Sequence, residues 1–79
     1  MPTILRKDGY TFKIYLNDHT PAHVHVRKGK KEARVTLDGL EIVSNINFLS
    51  REVKRILEII EEHQDELLAA WDEYHERRI

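Results

Sequence analysis

The sequence predicts an α+β domain in which two antiparallel β-hairpins form a small sheet packed by one long C-terminal helix. Three observations predict it. Asp8-Gly9 and Gly29-Lys30 each stand between runs of alternating apolar and polar residues, the pattern of a tight hairpin. Near residue 50 the apolar period changes from two to between three and four, as it does where a strand region gives way to a helix. The chain is 79 residues long and has no cysteine, so one compact core must hold it without disulfides. Residues 1–48 read as mainly β and 50–77 as the helix, within a single domain spanning 1–79.

The first hairpin is TILRKDGYTFKIYL. Glycine supplies the positive φ that a two-residue turn needs. Tyr10, Phe12, Ile14 and Leu16 alternate with Thr11, Lys13, Tyr15 and Asn17, giving a half-buried strand. Across the turn, Leu5 faces Phe12. NDHTP then breaks the pattern, because Pro21 cannot donate to a ladder and restrains Thr20.

AHVHVRK and KEARVTLD form the second hairpin. A two-residue turn at Gly29-Lys30 pairs Val26 with Ala33 and Val24 with Val35 on one face. The opposite face receives His23, His25, Arg27, Glu32, Arg34 and Thr36. A slip of one residue would mix the two sets, so burial selects this register. In GLEIVSNINF, the residues Leu40, Ile42, Val43, Ile46 and Phe48 are expected to be largely buried, in a short strand or turn crossing to the helix.

Ser50 is the expected N-cap, with Glu52 in the first turn and Arg77 and Arg78 at the far end, each placed to suit the helix dipole. Val53, Leu57, Ile60, Gln64, Leu67, Trp71 and Tyr74 form a heptad seam interrupted once, by Gln64. Residues 51–77 would span about 40 Å at about 1.5 Å per residue, while short strands reach only about 17–20 Å. An overhanging stripe of Leu67, Leu68, Trp71 and Tyr74 would then need a homodimer or a heteromeric partner to cover it. The alternative is a bend that returns the tail to the sheet. His63 and His75 read as surface residues of the helix.

Charge is divided unevenly. Residues 1–39 hold eight Lys/Arg against four Asp/Glu, and residues 40–79 hold five against ten. That division argues against a protein that coats DNA with its whole surface. The opening residues lack the apolar region of a signal peptide, and no apolar run reaches membrane-span length. Cytoplasmic residence without a membrane partner is the expectation.

The opening MPTILR, then DGYTF, then an acid-His pair followed by PAHVHV, then EARVTLD and SREVKRILEIIEEHQDELLAAW resemble a small prokaryotic family of uncharacterised single-domain proteins. The resemblance covers nearly the whole chain. It implies a gene encoded beside another small domain, in a layout like that of toxin–antitoxin pairs, and so a partner made by the adjacent gene. It brings no catalytic residues. The usual loop has two prolines before His-Val-His, and here Ala22 stands at the second.

Three histidines and five cations within a short stretch leave three chemistries open. His23 and His25 project from one strand face, and His19, with Asp18, could complete a site for zinc or a similar divalent ion. Alternatively, His23 and His25 could move protons in metal-independent RNA cleavage. Arg27, Lys28, Lys30, Lys31 and Arg34 would then hold the phosphodiester. The third chemistry uses the same cations to bind RNA or an acidic partner without turnover, with Tyr15 beside Lys13 placed to stack on a base. The favoured expectation is a member of a toxin–antitoxin-like regulatory pair acting through protein contacts and RNA binding, with no cofactor.

Overall fold

The structure is a computed structural model, and it describes residues 3–15, 19 and 21–76. The elements are β1 (Thr3–Lys7), β2 (Tyr10–Lys13), β3 (His23–Lys28), β4 (Lys31–Thr36), β5 (Ile42–Ile46), α1 (Ser50–Glu62) and α2 (Gln64–Glu76). The strands form one sheet in the order β1-β2-β3-β4-β5, every neighbour antiparallel. The α+β class holds. The architecture is a five-stranded meander with two helical segments, rather than two hairpins and one helix. Leu16, Asn17, Asp18, Arg77 and Arg78 lie outside the described residues.

Both expected turns form. Asp8 and Gly9 have φ of 54° and 84°, the paired positive values of a type I′ turn, whose twist matches that of the strands. Leu5 faces Phe12, Val24 faces Val35 and Val26 faces Ala33. Phe12, Val24, Val26 and Val35 share one core with Ile56, Ile59, Ile60 and Leu67, all at 0% exposure. Burying such a side chain contributes about 1.5–3 kcal/mol. A one-residue slip would exchange these for His25 and Arg34, which is why the register is unambiguous.

Ion pairs tie α1 to the strands' ends. Arg55 Nε donates to Asp8 Oδ2 at 2.7 Å, and Lys31 Nζ donates to Glu52 Oε2 at 3.0 Å. The helix is capped at Leu49, not Ser50. Leu49 has extended backbone, and its N–H donates to Glu52 Oε1 at 3.0 Å. Leucine has no side-chain acceptor, so only the Glu52 half of a capping box is present.

The helical region breaks at His63, one residue before the Gln64 that interrupts the apolar seam. The His63 N–H is shared between Ile59 O and Ile60 O at 3.1 and 3.2 Å. Gln64 Nε2 donates to Leu37 O at 2.6 Å. That bond ties the break to the sheet's end. The tail therefore does not overhang. Leu67 and Trp71 are buried in the chain's own core, and Leu68 and Tyr74 pack against it.

β5 corrects a further expectation. Only Phe48 of its region is buried, whereas Val43 and Ile46 are 57% and 54% exposed. The register to β4 shifts between Arg34 and Val35, so a bulge at Val43 turns that side chain outward. Among the described residues no helix is long and apolar enough to cross a membrane.

Candidate functional site

The helices cover one face of the sheet. Strand pairing arranges the other face in rows, because directly paired residues point to the same side. One row runs Arg6, Thr11, Arg27, Glu32, Ile46 across all five strands. The next runs Lys13, His25, Arg34, Ser44 from β2 to β5. Among the described residues of these two rows, four cations thus stand with a single carboxylate, Glu32.

These cations are unspent. Among the described residues, Arg6, Lys13, Arg27 and Arg34 enter no ion pair. Arg34 Nε donates to Ser44 Oγ at 3.4 Å. On the helix side, by contrast, Lys31 and Arg55 are both paired. Unpaired, exposed guanidinium groups are free to meet phosphate or carboxylate. Two open depressions lie among them. One, of about 290 Å³, is lined by Arg6, Gly9, Thr11, Lys13, Arg27 and others. The second, of about 280 Å³, is lined by His25, Glu32, Arg34, Ser44 and Ile46.

A series of rings closes one end of this face. Tyr15 meets His25 edge-on at 4.5 Å, His25 lies 5.1 Å from His23, and His23 lies 5.4 Å from Trp71. Trp71 stacks on His75 at 3.8 Å. His75 is therefore half-buried against Trp71 rather than a plain surface residue. Its Nδ1 donates to Trp71 O at 2.9 Å, because a carbonyl can only accept.

The two strand histidines differ in access. His23 Nδ1 donates to Pro21 O at 2.9 Å, and its Nε2 is buried. Neither nitrogen faces the open sheet. His25 sits directly between Lys13 and Arg34. His19 is exposed, on the loop before β3. Among the described residues no three His, Asp or Glu side chains gather where a metal could be held, and Asp18 lies outside them.

The five cations singled out from the sequence separate. Arg27 and Arg34 join the open face. Lys31 turns to the helix and Glu52, Lys30 is exposed on the turn, and Lys28 Nζ lies 4.9 Å from the Tyr10 ring centroid. Leu67, Leu68, Trp71 and Tyr74, expected as an interface, contribute to the core as described above. Arg6 joins the face without having been singled out. Its signal was present in the first hairpin, where the Asp8-Gly9 turn puts Arg6 opposite Thr11.

A family model described as a domain of unknown function, DUF4160, matches residues 9–72. The chain belongs to the DUF4160 family. No curated protein and no solved structure matches it. The DUF4160 match runs from the first turn into α2 and encloses Lys13, His23, His25, Arg27, Arg34 and Trp71. Arg6, on β1, lies before it. The open face of this DUF4160 chain is thus built mostly from the matched segment, with one cation added from outside.

Proposed function

We propose that this chain binds single-stranded RNA on the open face of its sheet, as the RNA-contacting member of a two-gene regulatory pair. One observation carries this: four cations, unpaired among the described residues, lie in two adjacent rows beside the Tyr15–His25 ring pair. Cations hold the backbone, and a ring at the end of the row offers a base a stacking surface. The closed helix side keeps the ligand on one face.

The test is fluorescence polarisation with a labelled 12-nucleotide single strand. Salt-sensitive binding is expected, and the double variant Arg27→Glu, Arg34→Glu should weaken it by more than about tenfold, since each reversal turns an attraction into a repulsion. Both sites are exposed, so the melting temperature should hardly move. Salt-insensitive or absent binding would overturn the proposal. In the paired-gene arrangement, co-expression with the neighbouring product should also yield a complex.

A second reading rests on His25 alone. Its place between Lys13 and Arg34 suits a base that takes the 2′-hydroxyl proton while the cations hold the phosphodiester. Metal-free RNA cutting that is lost in His25→Ala would support it. Cutting that survives the substitution would remove His25 from the chemistry.

A further inference from the structure

We infer that the notch between the two hairpin turns is a site for a dianionic phosphate, the terminal phosphomonoester of an RNA strand. This rests on the RNA-binding reading and goes beyond it by assigning the strand's end to a particular place.

The notch is lined by Arg6, Lys13, Arg27 and Lys28, with Thr11 and the turn glycines Gly9 and Gly29. Among the described residues lining it are four cations and no Asp, Glu or His. Their origins differ: Arg6 comes from β1, Lys13 from β2, and Arg27 and Lys28 from β3. Arg6 and Arg27 flank Thr11, whose hydroxyl adds a neutral donor between them. None of the four is in an ion pair among the described residues.

Lys28 is set in place by the fold. Its ammonium lies 4.9 Å from the Tyr10 ring centroid. A Cβ added at Gly9 would come 3.3 Å from Lys28 Cε and 3.5 Å from Nζ. The first turn therefore passes close under the Lys28 stem, and the missing side chain at Gly9 leaves room for it. Gly29 faces open space, with nothing within 4 Å of where its Cβ would be. The notch is thus open to a ligand from outside.

Charge decides which phosphate fits. An internal phosphodiester carries one negative charge. A phosphomonoester carries about −1.5 to −2 at pH 7, its second pKa lying near 6, and offers three terminal oxygens. Three open-face cations, Arg6, Lys13 and Arg27, with Lys28 at the notch's edge, exceed what the single charge of a diester uses, and the extra oxygen and charge of a monoester suit them. With its end held here, the strand can continue along the row of Lys13, His25 and Arg34.

The test compares one 12-nucleotide RNA with a 5′-phosphate and with a 5′-hydroxyl. The phosphorylated strand should bind about tenfold more tightly at pH 7.5. That ratio should fall by pH 5 without reaching one, as the monoester gains its second proton and keeps about one negative charge, the charge of a diester. His25, in the next row, serves both strands alike. Arg6→Ala should weaken both strands but the phosphorylated one more, reducing the ratio to about two, with little change in the melting temperature. A nucleoside 5′-monophosphate that displaces the phosphorylated RNA at its own notch affinity supports the site. Equal binding of the two strands would overturn the inference while leaving RNA binding intact. Loss of binding to both strands would remove the RNA reading itself.

Discussion

Glu52 serves two donors at once. Its carboxylate accepts the Leu49 N–H that opens α1 and the Lys31 ammonium from β4. These hold its pKa below the usual glutamate value, the Leu49 hydrogen bond first and the Lys31 hydrogen bond second. A group whose folded pKa is depressed adds stability above its unfolded pKa and loses it as pH falls through the folded one. Glu52→Gln should therefore lower the melting temperature at pH 7. The gap to the wild type should close below about pH 4, near and beneath the unfolded glutamate pKa. Melting curves across pH 3–7 check this, and a gap that stays constant would mean that the charge contributes nothing. The histidines show the same dependence on neighbours. His23 and His25 are alike in sequence, yet Pro21 O and Trp71 occupy one while Lys13 and Arg34 flank the other.

The hairpin turns set both the fold and the site. Gly9 has φ +84° and lies where a Cβ would press on Lys28. Gly9→Ala should destabilise the chain by about 1–2 kcal/mol, since alanine is strained at positive φ. For a domain of this size that lowers the melting temperature by roughly 4–16 °C. A shift under a degree would show the turn can relax to another type. Within each hairpin the register was legible, because turn glycine and alternation agree. The joining of hairpins was not. Between the first hairpin's alternating run, which ends at Asn17, and the second hairpin, the sequence is aperiodic, so nothing in sequence said that Arg6 and Lys13 would share a face with His25 and Arg34. The bulge at Val43 hid β5 by spoiling its alternation. Gln64 did signal the helix break, although its bond to Leu37 O depends on the tertiary fold. The series from Tyr15 to His75 joins three separate parts of the chain, and no local pattern announces it.

On the scale of the whole molecule, charge is segregated by face. Arg6, Lys13, Arg27 and Arg34 lie on the open sheet, while Glu58, Glu61, Glu62, Asp65 and Glu66 are exposed on the helices. The net charge is only −1, so the molecule as a whole does not draw in a polyanion. Attraction must be local and confined to contacts made on the sheet. This bounds the salt dependence. Each single-strand phosphate neutralised contributes about −0.7 to the slope of log K against log salt. For a 5′-hydroxyl strand, four cations engaging four phosphates give a slope near −3, or about a fifty-fold loss of affinity between 50 and 200 mM salt. Arg34→Ala should make the slope shallower by about 0.7, because it deletes one contact. Glu61→Lys with Glu62→Lys should raise affinity by less than about tenfold and leave the slope nearly unchanged, because charges that touch no phosphate release no counterions. Titrations at four salt concentrations separate these cases. A wild-type slope near zero would mean that the open face holds no phosphates. An equal loss of slope from helix and sheet variants would mean that binding follows net charge, not the rows of the sheet.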